Sequence, residues 1–332
     1  MTTKHTKKKA ASRSQDKTDL FQVVTDKIIA ALEKGTSPWR KPWKTVVGGH
    51  AASMSGLPAN AVTGRAYSGI NVLLLWIDAV DKGFTSHRWL TFKQALDVGG
   101  NVRKGEKSTL VTLFKPLEKK ETDEQGKPLF DDKGNAVVSQ RNFMTSFHLF
   151  NVEQCENLPD KLLAPVTVAG DAEDTPEQDD IVRIQRAEQV VACSGVPVVH
   201  RYQDRAFYSP CADRITMPEA VQFSCPADYY STLLHELVHS TGHLSRLARE
   251  GITSSTRRFG DPVYAFEELV AEIGSAFLCA ELGIQGDDQH ESYIASWLKA
   301  LKEDKKAIFQ ASRFARETFE YLILREQALA AA

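Results

Sequence analysis

Ser231-Thr-Leu-Leu-His235-Glu236-Leu-Val-His239-Ser-Thr-Gly242-His243 contains H-E-x-x-H, a spacing that dictates a chemistry. On an α-helix, residues four apart share one face, so His235 and His239 aim two imidazoles at a single metal ion. Glu236, beside the first histidine, then reaches a water at that metal as general base. The flanks read as helix. Ser224-Cys225-Pro226 offers a capping serine and a first-turn proline, and Asp228 suits the positive end of the helix dipole. Tyr230, Leu233, Leu234, Leu237 and Val238 form an apolar stripe beside the histidines, and Gly242 stands where a C-terminal glycine belongs. A buried helix with two satisfied core histidines would not require a glutamate at this register.

Catalytic zinc usually takes three protein ligands plus water. The extended pattern H-E-x-x-H-x-x-G-x-x-H fails here, because its last position is Ser245 and His243 comes two residues early. The other source is a glutamate on a following helix. Tyr264 to Cys279 reads as that helix, with Glu268, Glu272, Ser275 and Cys279 on one side and Leu269, Ile273 and Phe277 on another. Glu268 suits the third ligand, with Glu272 one turn on as the carboxylate that orients a ligating histidine. Spacing leaves Glu267 open as the ligand instead. The reading is a gluzincin-type site for Zn2+, or another divalent ion such as Mn2+: His235, His239 and Glu268, with Glu236 as base.

A chain of 332 residues can bury a large core and divides naturally into two domains. No apolar run approaches eighteen residues and no hydrophobic leader opens the sequence, so the expectation is a cytoplasmic protein with no membrane partner. Five cysteines (155, 193, 211, 225, 279) lack C-x-x-C spacing, which argues against a disulfide framework or a cysteine zinc site and points to reduced thiols. The net charge of −2 is unevenly spread. Residues 1–118 hold 19 basic and 9 acidic side chains, 119–180 hold 6 and 14, and 181–332 hold 16 and 20. A basic N-terminal body points to a polyanion partner.

Residues 1–18, lysine-rich and polar, read as a disordered tail. Helical periodicity follows from Asp19 to Lys34. In Ser37-Pro-Trp39-Arg40-Lys41-Pro-Trp43-Lys44, aromatics and cations alternate. Val72 to Val80 reads as an apolar helix, and Arg88-Trp89 as the opening of another that stops at Gly99-Gly100. A basic turn at residues 101–107 leads into a strand from Thr109 to Phe114. Cations that track phosphates, with aromatic faces on which bases stack, grip single-stranded nucleic acid. That pattern and the polar residues flanking it nominate Trp39, Arg40, Lys41, Trp43, Lys44, Arg65, Tyr67, Asn71, Arg88, Trp89, Lys93, Arg103, Lys104 and Lys107 for single-stranded nucleic acid. Trp76, inside Leu-Leu-Leu-Trp-Ile, reads as core.

Residues 117–140, acidic and turn-rich, read as an exposed hairpin before a strand at Phe143–Asn151. Acids, prolines and small residues mark a linker at 161–178. A helix from Asp179 to Cys193 then opens the second domain. Short strands at Val196–Arg201, Ala206–Tyr208 and Arg214–Met217 precede the histidine helix, and residues 290–330 add further helices. The fold class is α+β: an α/β single-strand-binding domain at 19–160 and a minimal zincin at 179–332.

Several blocks carry a specific resemblance. Ser37-Pro-Trp-Arg-Lys-Pro-Trp, Tyr67-Ser-Gly-Ile-Asn71, Trp89-Leu-Thr-Phe-Lys-Gln-Ala, Val102-Arg-Lys-Gly-Glu-Lys and Phe150-Asn-Val-Glu-Gln resemble the N-terminal domain of plasmid ArdC-type antirestriction proteins. TraC-type primases share that domain. Asp213-Arg-Ile-Thr-Met-Pro, Tyr229-Tyr-Ser-Thr-Leu-Leu-His-Glu and Glu267-Glu-Leu-Val-Ala-Glu-Ile-Gly resemble the family's metallopeptidase domain. The resemblance spans roughly residues 19–325 and implies single-stranded DNA binding and protection of incoming plasmid DNA from restriction during conjugation. Carriage into the recipient cell with the transferred DNA is a further expectation of that role. A metalloprotease recruited by DNA to a protein target, such as a host restriction enzyme, is the alternative. A nuclease fits less well, since one metal and one base are too few for two-metal phosphodiester cleavage. Tyr208, Tyr229, Tyr264 and His290 are the candidates to polarise a substrate carbonyl.

Overall fold

The computed structural model describes residues 19–330, apart from 36–37, 40–45, 48–49, 52–55, 124, 126, 132, 164–175, 255–260, 285 and 287–292. The elements of the first half are α1 (Leu20–Glu33), β1 (Val46–Val47), β2 (His50–Ala51), β3 (Ala59–Asn60), α2 (Ile70–Lys82), β4 (Arg88–Leu90), α3 (Phe92–Asp97), β5 (Asn101–Val102), β6 (Thr109–Lys120), β7 (Val138–Asn151) and β8 (Cys155–Glu156). The second half runs α4 (Asp160–Leu163), α5 (Pro176–Ser194), β9 (Val198–Arg201), β10 (Phe207–Ser209), β11 (Arg214–Pro218), α6 (Pro226–Thr241), α7 (Glu250–Thr253), α8 (Pro262–Leu282), α9 (Ile294–Glu303) and α10 (Ala307–Ala330).

The N-terminal sheet has the order β3-β4-β7-β6, dominated by the antiparallel ribbon of β6 and β7 in one register from Thr109↔Leu149 to Lys120↔Val138. Val111 and Leu149 point into the core, as period-2 alternation requires. The ribbon outruns the strands read from sequence and confines the acidic insertion to its tip. Arg88-Trp89-Leu90 is a strand, not the start of a helix, because Trp89 and Leu90 pair with Asn151 and Phe150 of β7. The helix starts after Thr91, whose hydroxyl and the Gln94 amide cap each other's backbone N–H groups. Asn71, on α2, accepts from the Thr112 N–H and donates to its carbonyl, both at 2.8 Å, closing the outer edge of β6.

The C-terminal sheet has the order β10-β11-β9, which leaves β10 at an edge beside α6. Pro226 opens α6 with Cys225, not Ser224, at the N-cap. Gly242 has φ −74°, so it is not a left-handed terminator. What it supplies is space: a Cβ there would lie 2.5 Å from Ile252 Cγ1.

One apolar core joins the two halves. Val24, Ile28, Leu32, Trp39 and Leu73 belong to the same buried cluster as Leu237, Phe277, Trp297 and Ile308. Phe21 meets Phe309 edge-on at 4.8 Å and Trp76 meets Phe277 at 6.0 Å. The first two helices thus complete the core of the second half.

Candidate metal centre

Helices α6 and α8 build the site. Gly274 lets them approach, since its Cβ would sit 3.0 Å from Val238 Cγ1. His235 and His239, one turn apart on α6, bring their Nε2 atoms to 3.2 Å of each other. The Glu268 carboxylate, from α8, faces both, 3.5 Å from His235 Nε2 and 3.6 Å from His239 Nε2. One ligand atom from each of these three buried residues lies within 4.8 Å of the others. The second ring nitrogens also face carboxylates: His235 Nδ1 is 3.8 Å from Glu272, and His239 Nδ1 is 3.4 Å from Glu267.

Helix rotation separates the two adjacent glutamates. Glu268 faces the Nε2 atoms, whereas Glu267 lies behind His239 and is gripped by Arg249 at Nε and Nη2. Glu236 Oε2 accepts the Tyr208 N–H of edge strand β10 at 2.7 Å. A cleft of about 250 Å³ opens over this group, lined by Phe207, Tyr208, Ile252, Tyr264 and Tyr293 besides the histidines and carboxylates.

Charge concentrates here. Burial disfavours a proton charge on His239, but Glu268, Glu267 and Glu236 outweigh it and push the imidazole up to about 10. His235 moves up for the same reason, with Glu268 the main opposing partner. Burial likewise opposes the Glu268 charge, yet the two histidines hold its carboxyl far below the usual range. Desolvation, then Glu268, raises Tyr264, so its phenol stays protonated.

The candidates for polarising a carbonyl stand in different places. Tyr208 lines the cleft, but its hydroxyl is engaged by Asp213 and Arg246. Tyr229 pairs with His200 at 2.9 Å, away from the cleft lining. His290 lies outside the described residues. Tyr264 lines the cleft one turn before Glu268, with the Tyr293 hydroxyl 3.4 Å from its own. The sequence reading missed Tyr293, which no motif marks. Its ring stacks on Trp297 at 6.0 Å, and Trp297 in turn meets Trp39 edge-on at 5.5 Å.

Comparison with known proteins gives this geometry a family. Residues 185–314 match the zincin-like metallopeptidase family, and residues 18–150 match the N-terminal domain of the anti-restriction factor ArdC. Crystal structures of the antirestriction ArdC protein from the R388 plasmid, metal-free and Mn(II)-bound, superpose with TM-scores of 0.72 and 0.69 at 38% identity. Each covers 93% of this chain and 98% of its own. The chain belongs to the ArdC family. Two proteins named DNA primase TraC from Escherichia coli are 38% identical over 94% of this chain, which spans only 20% and 28% of their length. The uncharacterized protein y4eC of Sinorhizobium fredii is 33% identical over 93% of this chain and 92% of its own.

The nominated DNA-binding residues of the ArdC-type N-terminal domain scatter in the fold. Arg40, Lys41, Trp43 and Lys44 lie outside the described residues. Trp39 is 4% exposed and Trp89 0%, so neither offers a face to a base; both are core, which corrects the sequence reading. Asn71 is consumed by the β6 edge, and Arg88 donates to the Lys161 carbonyl at 3.0 Å. Arg65, Lys93, Arg103, Lys104 and Lys107 are exposed, with Arg103 paired to Glu106 at 2.8 Å. Asn60 bonds both Gln94 and the Tyr67 hydroxyl, tying the loop of Arg65 to the helix of Lys93. Phe92, 52% exposed beside Lys93 and 6.4 Å from Phe150, is an aromatic face that the tryptophan pattern does not mark.

Proposed function

We propose that this chain is a single-stranded-DNA-binding antirestriction factor whose C-terminal domain is a metal-dependent peptidase. The observation that carries the hydrolytic half is the convergence of His235, His239 and Glu268 beside an intact Glu236, under an open cleft. The donors fit a divalent ion, Zn2+ or Mn2+. Both Nδ1 atoms face carboxylates, which leaves both Nε2 atoms and a Glu268 oxygen turned to one point. The same carboxylate field that retains a proton on His239 would favour a dication in its place. A bound ion would supply Lewis acidity for a carbonyl and lower the pKa of water.

The chain's own groups then divide the work. The Tyr208 N–H holds one oxygen of Glu236, which leaves the other to take a proton from water attacking in the cleft. Tyr264 and Tyr293, kept protonated by burial, stand at the cleft as donors to a developing oxyanion. Edge strand β10 beside the cleft has given its Tyr208 N–H to Glu236, which leaves the Tyr208 carbonyl on that edge for an extended peptide. For the DNA half, the support is the basic N-terminal body, with Arg65, Lys93 and the exposed Phe92 ring brought together by Asn60 and Gln94. The role carried by this reading is protection of incoming plasmid DNA during conjugation, in the cytoplasm of the cell that receives it. A protein target such as a host restriction enzyme is the substrate class that would join the two halves.

The test is mass spectrometry of a host lysate incubated with wild-type and Glu236→Gln protein, with and without single-stranded DNA. New peptide termini that need Glu236 support the peptidase. Identical digests from both proteins would leave the domain a binding module.

A further inference from the structure

Behind His239 lies a buried cluster that the proposed chemistry does not use. Arg249 is 4% exposed and Glu267 2%, a full ion pair inside the fold. The guanidinium meets Glu267 at 2.5 Å through Nη2, and at 3.1 and 3.2 Å through Nε. Nη2 also donates to the Val238 carbonyl at 2.8 Å. Nη1 donates to the Thr241 hydroxyl at 2.6 Å and the Thr318 hydroxyl at 2.9 Å. Arg249 therefore ties α6, α8 and α10 together immediately behind the second histidine. Two glycines clear its place. A Cβ at Gly242 would lie 3.1 Å from Arg249 Nη2, and one at Gly251 would lie 2.8 Å from Glu267 Oε2.

We propose that Arg249 and Glu267 form a positioning couple for the metal centre: Arg249 holds Glu267 on His239 Nδ1, so that His239 offers Nε2 and Glu268 alone supplies the carboxylate. This rests on the metal-site reading above. The chemistry follows from the contacts. Glu267 and Glu268 are neighbours on α8, each within 3.6 Å of one ring nitrogen of His239. A carboxylate satisfied by three guanidinium contacts is not available to an ion, but it can still accept the Nδ1 proton and fix the imidazole tautomer. Spacing alone leaves Glu267 open beside the favoured Glu268; Arg249 makes the two unequal.

The experiment titrates the full-length chain with Mn(II), reading the free ion by electron paramagnetic resonance and the Mn(II)-induced rise in melting temperature. The proteins are wild type, Glu268→Gln, Glu267→Gln, the double variant Arg249→Met/Glu267→Gln, and Glu281→Gln. Glu281 pairs with Arg186 at 2.9 Å on the same helix, far from the cleft lining, and serves as the control. Wild type and Glu281→Gln should bind one ion alike, and Glu268→Gln should lose it. Glu267→Gln should fold and bind about 10–100-fold more weakly, the range seen when such supporting groups are removed. The double variant, which removes both buried charges together, should fold without metal and bind within about threefold of Glu267→Gln, because Arg249 acts through Glu267. Near-wild-type affinity in either Glu267 variant overturns the couple while leaving the metal site standing. Absence of Mn(II) uptake by wild type overturns the metal-site reading and the couple with it.

Discussion

Trp39→Ala separates what the sequence suggests from what the packing imposes. Between a proline and two cations, Trp39 resembles a stacking residue, yet it is 4% exposed and lies edge-on to Trp297. Truncating a buried tryptophan costs about 3–5 kcal/mol. Its indole Nε1 meets no acceptor among the described residues, and relief of that unmade bond returns about 1 kcal/mol. The expected loss is therefore about 2–4 kcal/mol. Urea unfolding followed by fluorescence reads it as a lower midpoint at an unchanged slope. Beside it, fluorescence anisotropy with a labelled single strand should show less than a twofold change for protein that remains folded. A variant with the wild-type midpoint that lost about 1–3 kcal/mol of single-strand affinity would refute the argument, since that is the signature of a stacked base.

Elemental analysis of purified variants should find metal absent from His235→Ala, His239→Ala and Glu268→Ala but retained by Glu236→Gln; full occupancy in Glu268→Ala would overturn the ligand assignment. Lys104→Ala or Lys107→Ala should weaken single-strand binding and flatten the plot of log K against log salt by up to ~0.7 per lost phosphate contact, measured by anisotropy at several salt concentrations. Asp78 should govern an acid transition. Burial raises its carboxyl, but Lys27, Lys82 and Thr109 outweigh that and hold it below its ordinary value. A depressed folded pKa gives stability that is complete above the unfolded value, about 3.9, and is lost as pH falls through the folded one. Urea midpoints should thus fall below about pH 4 in wild type and flatten in Asp78→Asn, which starts about 1–3 kcal/mol lower at pH 7. Cutting the chain within residues 164–175 should give halves that are unstable apart, because α1 and α2 complete the core of α8 to α10; two separately cooperative melts would contradict this.

The H-E-x-x-H helix was legible because its information is local: a four-residue spacing on a helix puts both imidazoles on one face wherever the helix lies. The glutamate helix, the short strands of the second half and the basic character of the first half were legible for similar reasons. The choice between Glu267 and Glu268 was not. Neighbours on a helix point about 100° apart, and only the rotation of α8 against α6, fixed by contacts such as Gly274 on Val238, turns one to the histidine Nε2 atoms and the other to Arg249. Arg88-Trp89-Leu90 looked helical because the residues after it are, and pairing with β7 overrode that local preference. The same limit hid the role of the tryptophans. An indole beside cations has one composition whether it faces solvent or a core. Trp39 and Trp89 are decided by long-range packing, against Trp297 in one case and in a cluster with Val111 and Leu149 in the other. Sequence determined which residues could hold a metal; tertiary structure decided which of them face one another, because direction belongs to the packing of elements and not to their spacing.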